Sequence, residues 1–122
     1  MGRAPYRIGL AALRLPVSIG WEAAERAVPQ TVRFDLDVAL PTEPRAGLTD
    51  ELADTVDYGQ LAELIRAVAN RGPYRLLERL AGAIRDEVRL VVPPGAEFTL
   101  RVTKEQPPIA NLEGGASVTI TG

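Results

Sequence analysis

The chain has 122 residues, a formal net charge of -2 and 46% hydrophobic residues, which is ordinary composition for one globular domain. It contains neither Cys nor His, which excludes disulfides, thiolate nucleophiles, Cys or His zinc sites, and all Ser-His-Asp, Cys-His or histidine acid–base chemistry. The small negative charge gives no electrostatic reason to expect nucleic acid as partner, and no run approaches the ~18 apolar residues that cross a membrane.

Residues 6–19 alternate with Tyr6, Ile8, Leu10 and Ala12 on one side, then shift phase to Leu13, Leu15, Val17 and Ile19. One strand with a bulge near Ala11–Ala12 accounts for the shift. Arg14 and Pro16 interrupt the run, so it reads as a strand rather than a signal peptide. Gly20 to Pro29 is a polar connection carrying Glu22 and Glu25. Residues 30–40 are the clearest strand: Val32, Phe34, Leu36, Val38 and Leu40 oppose Thr31, Arg33, Asp35, Asp37 and Ala39. Pro41 to Asp57 is a long irregular stretch, of a length that marks a functional or disordered loop.

Asp57, with Gln60 three residues on, opens a helix as a capping box. Leu61, Leu64, Ile65 and Val68 supply its apolar stripe, and Gly72-Pro73 stops it. A second helix is expected from Pro73, a favoured first-turn residue, with Leu77, Leu80, Ala81, Ile84 and Val88 as its stripe and Pro93-Pro94-Gly95 as its end. Phe98, Leu100 and Val102 form a third strand; Val118 and Ile120 form a fourth after Gly114-Gly115. The order ββααββ within a single domain, residues 1–122, predicts an α+β fold: a four-stranded antiparallel sheet with two helices on one face. The other face carries Arg33, Asp35, Asp37, Arg101, Ser117 and Thr119 and is wet. Two open sheet edges and only six aromatics point to oligomerisation, edge to edge, into a barrel with a polar lumen.

Four places carry possible chemistry. Lys104 is the only Lys beside 13 Arg. Arg keeps its proton at every useful pH, whereas a lysine amine can be tuned to act as a base; the plain alternative is one surviving surface Lys. Glu78 borders the apolar stripe of the second helix, where a carboxylate can take a bidentate donor edge from a ligand. Otherwise it is a solvated partner of Arg75. Glu22 and Glu25 are acids able to bind hydroxyls, or merely solvated loop residues. Tyr58, at the start of the first helix, offers a phenol donor or a stacking ring, or simple packing. No phosphate loop, EF-hand or zinc pattern occurs, and Asp50, Glu51 and Asp54 lack ligand spacing for a metal site.

Certain groups of residues stand in a characteristic order. They are Ile19-Gly20; Glu25 with Gln30 five residues on, entering a strand; Asp54-Thr55-Val56-Asp57-Tyr58-Gly59; Leu76-Leu77-Glu78 with Leu80-Ala81; and Thr103-Lys104-Glu105 with Pro107-Pro108-Ile109. Together they resemble the bacterial dihydroneopterin aldolases of folate biosynthesis over roughly residues 6–121. Trp21-Glu22-Ala23-Ala24 and the ending Ile120-Thr121-Gly122 depart from the pattern of many relatives.

The resemblance implies the tunnelling fold, with sheets joined in rings, two rings stacked as an octamer, and active sites between subunits. Zinc enzymes of that fold need His ligands, which this chain lacks. It also implies a cytoplasmic carbon–carbon lyase that uses no metal or other cofactor and has no nucleic-acid or membrane partner. Its small-molecule pterin substrate, 7,8-dihydroneopterin, is cleaved to 6-hydroxymethyl-7,8-dihydropterin and glycolaldehyde. By the same resemblance Glu78 anchors the pterin's 2-amino and N3–H edge, and the Leu77 backbone touches the ring. Glu25, chosen over Glu22 by its distance to Gln30, contacts the hydroxylated side chain. Tyr58 comes from the adjacent subunit and helps protonate the enamine. Lys104 is the general acid–base, working through a water. A dihydroneopterin or dihydroneopterin triphosphate epimerase, and a non-catalytic oligomeric pterin-binding module, are the alternatives.

Overall fold

The computed structural model describes residues 6–122, and the first residues of the first expected strand fall just inside that range. Four strands, β1 (Tyr6–Val17), β2 (Gln30–Leu40), β3 (Glu97–Lys104) and β4 (Ala116–Thr121), pair antiparallel in the spatial order β1-β2-β3-β4. Between β2 and β3 run the two long helices, α3 (Tyr58–Ala69) and α4 (Leu77–Val91), which pack on the sheet. Two single-turn helices, α1 (Ala23–Arg26) and α2 (Ala46–Thr49), lie in the connections on either side of β2. The architecture is therefore the α+β arrangement the alternation predicts.

The core follows from period. Val32, Phe34, Leu36, Val38 and Leu40 are all buried, as are Phe98, Leu100 and Val102 beside them. Leu61, Ile65 and Val68 of α3 and Leu80, Ala81, Ile84 and Val88 of α4 close over them. β1 keeps both of its apolar phases on this side because the ladder shifts between Leu10 and Leu13. Ala12 takes a left-handed φ of 55° there, and its N–H donates to Asp35 Oδ1 at 2.8 Å, so the amide freed by the bulge is satisfied. On the opposite face Arg33, Asp35 and Asp37 are half-buried and Arg101, Ser117 and Thr119 exposed. β1 and β4 form the sheet's two edges, and neither has a second strand neighbour among the described residues. No helix among those residues is long and apolar enough to cross a membrane.

Two expectations change. The segment 41–57 is not structureless: α2 and a 3-10 turn (Leu52–Asp54) occupy it, and Thr49 Oγ1 donates to Asp54 Oδ2 at 2.7 Å. The last helix starts at Leu77, not near Pro73. Residues 72–76 instead run extended beside the end of β1, where Tyr74 N–H bonds the Ser18 carbonyl at 2.9 Å and Gly20 N–H bonds the Tyr74 carbonyl at 3.1 Å. These tertiary hydrogen bonds outweigh the helical preference of a first-turn proline.

Candidate active site

The pairing of residues 18–20 with 72–76 sets the site, because it brings the chain after β1 against the start of α4. Gly20 leaves room for Glu25 at that crossing: a Cβ on it would stand 2.3 Å from the Glu25 carboxyl group and displace that side chain. The carboxylate thus packs directly on backbone. The connection 20–29, expected to be a plain polar loop, is pinned on several sides. Arg26 donates to the carbonyls of Gly20 and Trp21 at 3.0 and 2.7 Å, and Gln30 Nε2 donates to the Ile19 carbonyl at 2.7 Å.

Gln30 Nε2 also reaches Glu25 Oε2 at 3.1 Å, and Lys104 Nζ stands 3.1 Å from the same oxygen. The hydrogen bond from Gln30 holds the Glu25 carboxyl below its ordinary range, with the bond and charge of Lys104 and the Trp21 amide adding to it against the cost of burial. The Lys104 side chain is 14% exposed and that of Glu25 20%, so the pair is partly withdrawn from solvent but open on one side. Lys104 ends β3, where its strand partner is Ala116. Gly115, at φ 80°, precedes that partner; a Cβ there would lie 2.3 Å from the Lys104 carbonyl. Only glycine lets β4 begin so close to the lysine.

A cleft of about 300 Å³ opens at this pair. Glu25 and Lys104 line it together with Leu77 and Glu78, and Trp21, Pro107, Pro108 and Ile109 supply apolar lining. Glu78 lies in the first turn of α4, whose preceding residue Leu76 gives no side-chain cap. Among the described residues the Glu78 carboxylate makes no ion pair. Arg75, its expected surface partner, instead lies over the Trp21 ring, 5.5 Å from the centroid. A carboxylate without such a partner at a helix N-terminus, lining a cleft with apolar neighbours, can accept two parallel donors from a flat ligand.

Four of the five sequence-derived site residues, Glu25, Leu77, Glu78 and Lys104, therefore share one cleft. Tyr58 does not: it begins α3, is 62% exposed and does not line this space. Glu22 stays out of it as well. No group of three or more acidic residues, including Asp50, Glu51 and Asp54, is placed to hold a metal among the described residues. Trp21 and Arg75 carry no site signal in the sequence, because no local pattern announces a stack between residues so far apart.

The family model described as dihydroneopterin aldolase, FolB, matches residues 8–121. A protein of Chlamydia trachomatis named as a dihydroneopterin aldolase is 38% identical over 117 residues, 95% of this chain and 94% of its own length. A dihydroneopterin aldolase of Streptococcus pyogenes is 36% identical over 86 residues, 70% of this chain and 71% of its own. Among solved structures, a FolB protein of Vibrio cholerae superposes with TM-score 0.82 at 26% identity, covering 96% of both chains. The E. coli dihydroneopterin aldolase in complex with neopterin superposes with TM-score 0.84 at 19% identity, covering 96% of this chain and 98% of its own, a likeness of fold.

Proposed function

The chain belongs to the dihydroneopterin aldolase family, and from that premise we propose how its cleft performs the carbon–carbon lyase step of folate biosynthesis. The substrate is 7,8-dihydroneopterin; the products are 6-hydroxymethyl-7,8-dihydropterin and glycolaldehyde. The observation that supports this reading is that the only lysine of the chain and a helix carboxylate with no ion pair among the described residues open onto one cleft sized for a small bicyclic ligand.

Glu78 anchors the ring: its two oxygens accept the 2-amino and N3–H donors, and the Leu77 backbone lies alongside. Glu25 accepts from the hydroxylated side chain. Lys104, acting through a water, takes the proton from the side-chain hydroxyl beyond the bond that breaks. That carbon becomes the aldehyde of glycolaldehyde. The bonding pair passes into the N5=C6 imine of the substrate and leaves an enamine. A proton delivered to the carbon attached to C6 then yields the hydroxymethyl product, with Tyr58 of a neighbouring subunit assisting. The substrate supplies its own electron sink, so the protein's tasks are grip and proton transfer.

The same proposal treats residues 1–122 as one catalytic domain, working in the cytoplasm as an octamer of two rings. Both open edges of the sheet and the exposure of Tyr58 outside its own chain's cleft favour sites completed between subunits. Incubation with 7,8-dihydroneopterin and chromatography of the mixture tests the reading. Glycolaldehyde and hydroxymethyl-dihydropterin in equal amounts are expected. A side-chain stereoisomer without cleavage would replace the lyase by an epimerase.

A further inference from the structure

Beside the cleft lies a second hollow of about 480 Å³, with Trp21, Arg71, Tyr74, Arg75, Leu76 and Arg79 in its walls. The two spaces share Trp21, Arg75 and Leu76 as a common wall. Three guanidinium groups thus converge in a chain whose net charge is -2, and no carboxylate lines the hollow. Arg71 is held from outside by Glu87 at 2.5 Å. Arg75 rests on the Trp21 ring. Arg79 has no ion pair among the described residues. The Tyr74 hydroxyl is engaged with the Val68 carbonyl at 2.7 Å, so the polar character of the hollow is cationic. Glu87 offsets one of the three charges, which leaves two uncompensated beside a ligand cleft. Planar, weakly hydrated guanidinium forks suit phosphate oxygens better than any other side chain.

Resting on the reading of the cleft as a pterin site, we propose that this hollow is a phosphate-ester subsite. It takes the phosphate end of a side-chain-phosphorylated 7,8-dihydroneopterin whose ring is held at Glu78. Arg71 and Arg79 bind the phosphate oxygens, and Arg75, on the shared wall, faces both parts of the ligand. The subsite selects the phosphorylated form without taking part in cleavage.

Titration calorimetry on the full chain, with 7,8-dihydroneopterin, its triphosphate and inorganic tripolyphosphate, tests this. The wild type is expected to bind the triphosphate about tenfold or more tightly than the unphosphorylated compound, with the advantage falling as salt rises. Arg71→Gln with Arg79→Gln removes the advantage and leaves binding of 7,8-dihydroneopterin unchanged. Arg79→Gln alone, which breaks no ion pair, lowers the same ratio should the double variant fail to fold, and Arg79→Lys restores part of it. Equal wild-type affinities for the two pterins, or an advantage that survives both substitutions, would overturn the subsite. Tripolyphosphate and the triphosphate bound by the wild type but not by the double variant, with 7,8-dihydroneopterin unbound by either, uphold the subsite and sink the reading of the neighbouring cleft instead.

Discussion

Lys104 and Glu78 are single residues with separable tasks. Arg in place of Lys104 keeps a cation beside Glu25 and so preserves the local charge balance, yet it cannot give up its proton. Lys104→Arg is therefore expected to retain pterin binding and to lose about two to four decades of kcat. Steady-state kinetics beside a binding titration checks this, and turnover near wild type would remove the lysine from the chemistry. Glu78→Ala deletes the fork acceptor at the start of α4. Calorimetry with 7,8-dihydroneopterin should find no binding in that variant, and an unchanged Kd would count against the anchor. The two residues were legible for different reasons. A lone Lys in an Arg-rich chain stands out by counting, whereas Glu78 stood out only beside an apolar stripe and within a family pattern. The stacking of Arg75 on Trp21, which leaves Glu78 without its expected surface partner, depends on a crossing of distant segments that no local pattern encodes.

At the scale of elements, β2 was the easiest to read, because burial of one face enforces strict alternation from Val32 to Leu40. The bulge in β1 was equally visible, since an inserted residue must reverse the phase of the apolar positions. The start of α4 was not, because Pro73 satisfies the local rule for a helix start while its segment pairs with residues 18–20. The start of α3 shows a local rule that holds: the Asp57 side chain accepts from Gln60 N–H at 3.2 Å. Asp57→Ala should cost about 1 kcal/mol, measured by urea denaturation. No loss would mean that packing of Leu61 and Ile65 alone fixes that end.

The molecule as a whole carries its charge effects at opposite ends of the pH scale. Glu25 and Glu105 titrate below the ordinary 4.5, held down chiefly by hydrogen bonds from Gln30 and Arg14 respectively. A depressed carboxylate stabilises the fold fully above its unfolded value and loses that contribution as pH falls through the folded one. Tyr74 is raised above 10.0, chiefly by burial, so its contribution is complete below that value and is lost as pH climbs through the folded one. The Tm should hold level between these limits, drop below pH 4.5 and drop again above pH 10. Substituting Gln for Glu25 should blunt the acid limb, and an acid limb identical to wild type would exclude that group. Two open strand edges on a chain of 13.1 kDa also set an expectation for mass: light scattering should report an octamer. A monomer would leave Tyr58 without a cleft to complete.

Trp21 is the only indole in the chain, and it sits 60% exposed on the wall shared by the cleft and the arginine-lined hollow, beneath Arg75. The protein therefore carries a built-in optical reporter. Its near-ultraviolet emission comes from one place, and that place borders both halves of the binding surface. Occupancy of either half can be followed by light from the unlabelled chain, excited at the red edge where the indole absorbs and its three tyrosines do not.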